Sequence, residues 1–175
     1  MSIILDGSAS ATFATPLPVA QGGSGGVSAA AALINLQASV PAFSAYQSVA
    51  QSLPTGTITK LQFQTKEFDT GNYYDAVTNF RYTPLVAGYY QITASFQIAS
   101  VITSLNLYAY KNGINFKSLS VTQSTGQAGS AGTALVFLNG TTDYIEIFGS
   151  QSAAAQNIVA VAALTYFQAV LVKAT

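Results

Sequence analysis

From residue 89 to residue 98 apolar and polar side chains alternate without a break. Tyr90, Ile92, Ala94, Phe96 and Ile98 fall on one side; Gln91, Thr93, Ser95 and Gln97 fall on the other. A period of two over this length predicts a strand with one buried and one polar face. Residues 58–63 and 105–110 carry the same alternation. In the latter, Tyr108 and Tyr110 share a face opposite Leu105, Leu107 and Ala109, so one face is free to meet another subunit. Lys111-Asn112-Gly113-Ile114 predicts a tight hairpin, because Asn-Gly supplies two positive-φ positions for a type I′ turn. Asn139-Gly140 marks a further turn. Residues 124–132 and 151–156 are rich in small side chains and read as loops. Many short strands joined by such turns point to an all-β sandwich or jelly roll.

The pattern upstream is different. No charged residue occurs between Asp6 and Lys60. Residues 7–20 are rich in Ser, Thr and Ala and contain Pro16 and Pro18, which favour an extended backbone. Residues 21–26 form a flexible Gly-rich turn. Ser28 can cap a short helix running to about Gln37, since its hydroxyl accepts a first-turn N–H. Leu33 and Leu36 share one side of that helix. So short a helix is marginal alone and needs threefold packing or a surface to lie on. Pro41 closes the segment, so the chain divides into residues 1–40, an anchor, and 41–175, a β-sheet domain.

Composition narrows the function. Half of the 175 residues are hydrophobic and only 7% are charged, against about 25% in ordinary globular domains. The surface is therefore built from Ser, Thr, Asn, Gln and Tyr, or is covered by partners. Net charge is zero, which argues against nucleic acid or anionic lipid as partner. No apolar run reaches the roughly 20 residues of a membrane span. Met1 to Leu5 lacks the basic residues of a secretory signal. Cys and His are both absent, which excludes disulfides, a Ser-His-Asp triad and a histidine metal site. Acid–base work would fall to Glu67, Asp69, Asp75, Asp143 and Glu146. A glycosidase needs two carboxylates flanking one bond, and structural roles for so few acids are favoured over catalysis.

An ordered series of motifs runs through the second segment: Ala42-Phe43-Ser44-Ala45; Leu61 and Phe63; Phe68-Asp69; Tyr74-Asp75 onward to Phe80; Pro84-Leu85-Val86-Ala87-Gly88-Tyr89-Tyr90-Gln91-Ile92; Lys111-Asn112-Gly113; Asp143-Tyr144-Ile145-Glu146-Ile147; and Tyr166-Phe167-Gln168-Ala169-Val170-Leu171-Val172. Together they resemble the globular head of the C1q/TNF-like family, with Gln168-Ala169 replacing the usual Gly. The resemblance spans residues 41–172, about three quarters of the chain. It implies a trimeric jelly-roll sandwich whose aromatics fill the core or line the threefold axis: here Phe43, Phe68, Phe80, Tyr90, Phe96, Tyr108, Tyr110 and Phe167. Some members carry calcium, which directs attention to Asp69 and Asp75 around Thr70-Gly71-Asn72; Asx-turns are the favoured alternative.

A second resemblance lies upstream. Pro18-Val19-Ala20-Gln21-Gly22-Gly23-Ser24-Gly25-Gly26, followed by Ser28-Ala29-Ala30-Ala31-Ala32-Leu33-Ile34-Asn35-Leu36, is similar to a segment of bacteriophage tail-fibre proteins. It implies docking to a tail, collar or capsid protein through Gln21, Gly22, Gly23, Leu33 and Leu36. The expectation is a non-enzymatic virion protein, assembled in the bacterial host cytoplasm. It would be a short homotrimeric fibre whose head binds a host-surface glycan or protein. Loop residues Asn72, Tyr73, Gln127 and Gln156 are the candidate contacts, since loops on a rigid sandwich carry recognition. The alternatives are a capsid decoration or head-fibre protein that stabilises the particle, and a soluble C1q-like lectin outside any virion.

Overall fold

The computed structural model describes residues 23, 25–37, 40–98, 104–126 and 128–175, with the backbone alone at 36 and 37. The chain divides into two compact units, residues 1–40 and 41–175. In the first, Ser28 begins helix α1 (Ala29–Gln37). Its hydroxyl accepts the Ala31 N–H at 3.1 Å and its carbonyl accepts the Ala32 N–H at 2.8 Å, which is the cap that Ser28 predicts. Leu33 and Ile34 are exposed, and α1 carries no charge in its first or last turn. Gln21, Gly22 and the Leu36 side chain lie outside the described residues.

The second unit is two antiparallel sheets packed face to face. One holds five strands in the order β10 (Ala128–Asn139), β7 (Ala87–Ile98), β13 (Tyr166–Ala174), β1 (Ala42–Tyr46) and β4 (Thr65–Asp69). The other runs β5 (Tyr74–Asp75), β6 (Arg81–Tyr82), β11 (Ile145–Gln151), β8 (Ser104–Lys111) and β9 (Ile114–Gln123), with β3 (Thr59–Lys60) also pairing β11. A two-stranded piece, β2 (Ser52–Leu53) with β12 (Gln156–Asn157), stands apart.

Alternation places the core. Tyr90, Ile92, Ala94, Phe96 and Ile98 of β7 are all fully buried, as are Leu105, Leu107 and Ala109 of β8. The predicted strand over 58–63 shrinks to β3, yet Leu61 and Phe63 keep their inward places. At the centre lies an aromatic cluster drawn from both sheets. Phe43 stacks on Tyr74 at 4.8 Å and on Tyr82 at 4.4 Å, and meets Phe167 edge-on at 4.8 Å. Phe63 packs on the other side of Phe167 at 5.8 Å. Offset and edge-to-face pairs of this kind add stability beyond simple burial.

The hairpin at Lys111-Asn112-Gly113 forms as its residues require, with φ of 54° at Asn112 and 77° at Gly113. The loop expected over 124–132 is shorter, because Ala128 already starts β10. Ala128 and Ser130 point inward while Gly129 and Ala131 point out, so the strand alternates in direction and hardly in polarity. Small side chains are needed there because β9 passes close by: a Cβ on Gly132 would stand 2.3 Å from the Leu119 carbonyl oxygen. The loop expected over 151–156 shortens likewise. Gln151 is the buried last residue of β11, and its side-chain amide donates to the Leu53 and Ala154 carbonyls.

Candidate functional site

The outer face of the five-stranded sheet is laid out by register. One row runs Leu135, Gln91, Val170, Ala42; the next runs Thr133, Thr93, Gln168, Ser44, Phe68. At one end Phe137 stands opposite Tyr89, with ring centroids 5.5 Å apart. Phe68, Tyr89, Leu135, Phe137, Val170 and Val172 are all exposed, between 40 and 58%. The polar row is self-satisfied: Thr93 and Thr133 share a 3.0 Å hydrogen bond, Gln168 donates to Ser44, and Ser44 donates to Glu67 at 2.5 Å. A shallow hollow of about 300 Å³ lies among Phe68, Gln91, Thr93, Gln168 and Val170. An exposed apolar surface crossed by a row of paired polar groups is suited to being covered by protein.

The aromatic set therefore separates into two groups. Phe43, Tyr90, Phe96 and Phe167 are core. Phe68 is not: it lies opposite Ser44 on the outward face and is half exposed. The β4–β1 register shifts between Ser44 and Ala45, a bulge beside this pair. Phe80 is half-buried in the turn before β6, with φ of 50°. Tyr108 and Tyr110 are half-buried on the outer face of the six-stranded sheet, away from the core.

The loop between β4 and β6 shows why its carboxylates favour turns over a metal. Asp69 accepts the Tyr73 and Tyr74 N–H groups at 3.0 and 2.9 Å. The Lys66 ammonium bonds Asp69 Oδ2 at 3.1 Å, Asn72 Oδ1 at 2.6 Å and the Tyr74 carbonyl at 3.4 Å. The chain's own cation thus sits among the oxygens a metal would use. Asp75 accepts the Val77, Thr78 and Asn79 N–H groups and the Asn79 side-chain amide. Among the described residues no group of three or more acidic side chains converges. Of the loop contacts expected, Asn72 is held by Lys66, Tyr73 packs its ring 6.4 Å from Tyr82, and Gln156 pairs with Leu53 in β12. Gln127 lies outside the described residues.

The other acids are engaged too. Asp143 is buried and bonds the Lys111 ammonium at 2.8 Å, the Asn112 amide at 2.7 Å and the Asn139 N–H at 3.1 Å. It ties the 112–113 hairpin to the 139–140 turn. Burial pushes its pKa up, but the Lys111 ammonium and the Asn112 amide outweigh that, and it titrates below the ordinary range. The N–H groups of Thr78 and Val77 hold Asp75 down to about 2. A carboxyl depressed on folding stabilises the fold above its unfolded pKa, and loses that contribution as pH falls through its folded pKa. Stability should therefore hold above about pH 4 and fall towards about pH 2. Asp75→Asn should show a smaller drop in urea midpoint between those limits than the parent, the effect being modest because Asp75 is partly solvated.

One group was missed in the sequence. On the outer face of the six-stranded sheet, Arg81, Tyr144, Glu146, Lys60, Phe148 and Tyr110 come together. Arg81, the chain's single arginine, lies 4.4 Å from the Tyr144 ring centroid. Tyr110 stacks on Phe148 at 4.0 Å. No spacing reveals this cluster, because four strands supply it.

No family model and no curated protein matches the chain. Solved structures do. Murine APRIL at pH 5.0 superposes with a TM-score of 0.61 at 10% identity, covering 76% of this chain and 99% of that one. The fold is a TNF/C1q-like jelly roll. The globular domain of zebrafish complement 1qA (TM-score 0.57, 15% identity, 78% of this chain and 99% of that one) gives the same result. So does PRD1 vertex protein P5 (TM-score 0.57, 17% identity, 76% and 97%). At these identities the likeness shows the fold alone.

Proposed function

We propose that this chain is a non-enzymatic structural protein of a bacteriophage virion. It is a short homotrimeric fibre whose jelly-roll head attaches the particle to a host-surface glycan or protein. The observation that carries the trimer is the outer face of the five-stranded sheet. Phe68, Tyr89, Leu135, Phe137, Val170 and Val172 stand exposed there in a chain with only 7% charge. Two further copies would cover this face in a closed ring. Joining three heads multiplies a weak single-site affinity, as attachment requires. The six-stranded sheet stays free to face outward.

The virion assignment draws support from the likeness to a phage vertex protein, PRD1 P5, and from the fibre-like upstream segment. Helix α1, uncharged and with Leu33 and Ile34 exposed, supplies an apolar surface for a tail, collar or capsid protein. The vertex likeness also favours a second reading, in which the trimer sits on the capsid and stabilises the particle. Deleting residues 1–40 tests the anchor. The head should remain folded by circular dichroism and trimeric by light scattering, yet fail to enter particles. A truncated head that still enters particles contradicts the assignment.

A further inference from the structure

The outer face of the six-stranded sheet carries a cluster that neither the core nor the proposed trimer contact uses. β11 runs between β3 and β6 on one side and β8 on the other. It turns Ile145 and Ile147 inward and Glu146 and Phe148 outward, and Tyr144 immediately precedes it. Tyr110, from β8, lies opposite Glu146 and stacks on Phe148 at 4.0 Å with the planes 29° apart. The Lys60 ammonium is 5.9 Å from the same Phe148 ring and bonds Glu146 Oε1 at 2.5 Å. Glu146 is only 5% exposed, so this carboxylate is built into the surface and neutralises Lys60.

Arg81 is left over. Its guanidinium rests 4.4 Å from the Tyr144 centroid. Among the described residues it takes part in none of the three ion pairs. A guanidinium held against a ring keeps its planar fork of N–H donors available, and that fork matches a carboxylate two-to-two. Cross-strand stacking explains why Tyr110 and Phe148 are together; it does not explain an unpaired cation beside them. Asp75 stands opposite Arg81 across β5–β6, but its oxygens accept the Val77, Thr78 and Asn79 N–H groups and the Asn79 side-chain amide, so the guanidinium beside these half-buried rings keeps its donors for a ligand. Along the strand, Tyr110 opposite residue 146 is two residues from Tyr144, roughly 7 Å, so one extended ligand can reach both.

We propose that this face binds an acidic polysaccharide. The carboxylate of one hexuronate unit forks onto Arg81, and the adjoining sugar ring lies against Tyr110 and Phe148, whose apolar faces suit its C–H groups. The proposal rests on the attachment reading and names its ligand class. With Glu146 balancing Lys60 and Asp75 standing opposite Arg81, the face is not broadly positive and selects for one placed carboxylate over polyanions in general.

The test is isothermal titration of the full-length chain with an oligogalacturonate, a neutral cello-oligosaccharide of equal length, and inorganic phosphate. The oligogalacturonate should bind and the neutral sugar should bind at least tenfold more weakly. Arg81→Gln should lower the affinity at least tenfold, and Arg81→Lys should recover only part of it. Tyr110→Ser should also weaken binding, while Lys117→Gln, an exposed cation on β9, should leave it unchanged. Equal binding of acidic and neutral sugars, unchanged binding by Arg81→Gln, or a preference for phosphate over uronate overturns the proposal. Adsorption separates the two readings. If particles need the chain to adsorb but it binds no uronate, attachment stands and this site falls. Arg81-dependent uronate binding with adsorption intact upholds the site and removes attachment.

Discussion

Replacing Phe167 with alanine should destabilise the head by about 3–5 kcal/mol, the range for emptying a fully buried aromatic position. Phe167 has no exposed surface and is touched by Phe43 at 4.8 Å, Phe63 at 5.8 Å and Tyr74 at 5.9 Å. Those neighbours come from β1, β5 and the segment before β4, so the cavity would open where the two sheets meet. A rigid antiparallel sheet on each side cannot collapse to fill it. Domains of this size are stable by about 5–15 kcal/mol, so the variant should lie near the edge of folding. Urea denaturation followed by circular dichroism gives the number. Val77→Ala is the internal comparison. Val77 is 82% exposed and outside the five-stranded sheet, so its loss should cost less than about 1 kcal/mol. Equal costs at the two positions would mean the aromatic core is misplaced.

The second large effect concerns assembly. Leu135→Glu combined with Phe137→Glu should convert the proposed trimer into a folded monomer. Both side chains point outward from β10, 55% and 40% exposed, and neither contributes to the core. In the single chain the change puts charge on a surface already wet, which costs little. In a closed threefold contact it buries unpaired carboxylates from every copy, and an unpaired buried charge costs several kcal/mol. Light scattering should read about 54 kDa, three times the 18.1 kDa chain, for the parent and about 18 kDa for the variant. Unchanged circular dichroism should accompany the loss of mass. A variant that stays trimeric would place the contact elsewhere.

The legibility of this chain follows residue size and strand parity. Where large apolar residues alternate with polar ones, as in residues 89–98, direction could be read directly, and every inward residue is buried. Where side chains are small the signal fades. Residues 128–132 look like a loop by composition yet form the start of β10, because the constraint there is the closeness of Leu119 to Gly132. Phe68 belongs to the series of aromatics that fill the core or line a threefold axis, and only its register opposite Ser44 shows that it faces outward. The Ser28 cap and the 112–113 hairpin were legible because each rests on a few adjacent residues. The Arg81 cluster was not, because residues 60, 81, 110, 144, 146 and 148 meet only once four strands are in register. The loop at Asp69 needed geometry too: only the structure shows that Lys66 bonds Asp69, Asn72 and the Tyr74 carbonyl together.

If this chain is a virion attachment protein, it has a defined position in the particle. Purified particles with and without the chain should be imaged and their adsorption to host cells measured. Trimeric density should project from the particle, and adsorption should be lost when the chain is missing. Density on the capsid with intact adsorption and fragile particles would make it a decoration protein. Absence of the chain from particles would contradict the virion assignment altogether.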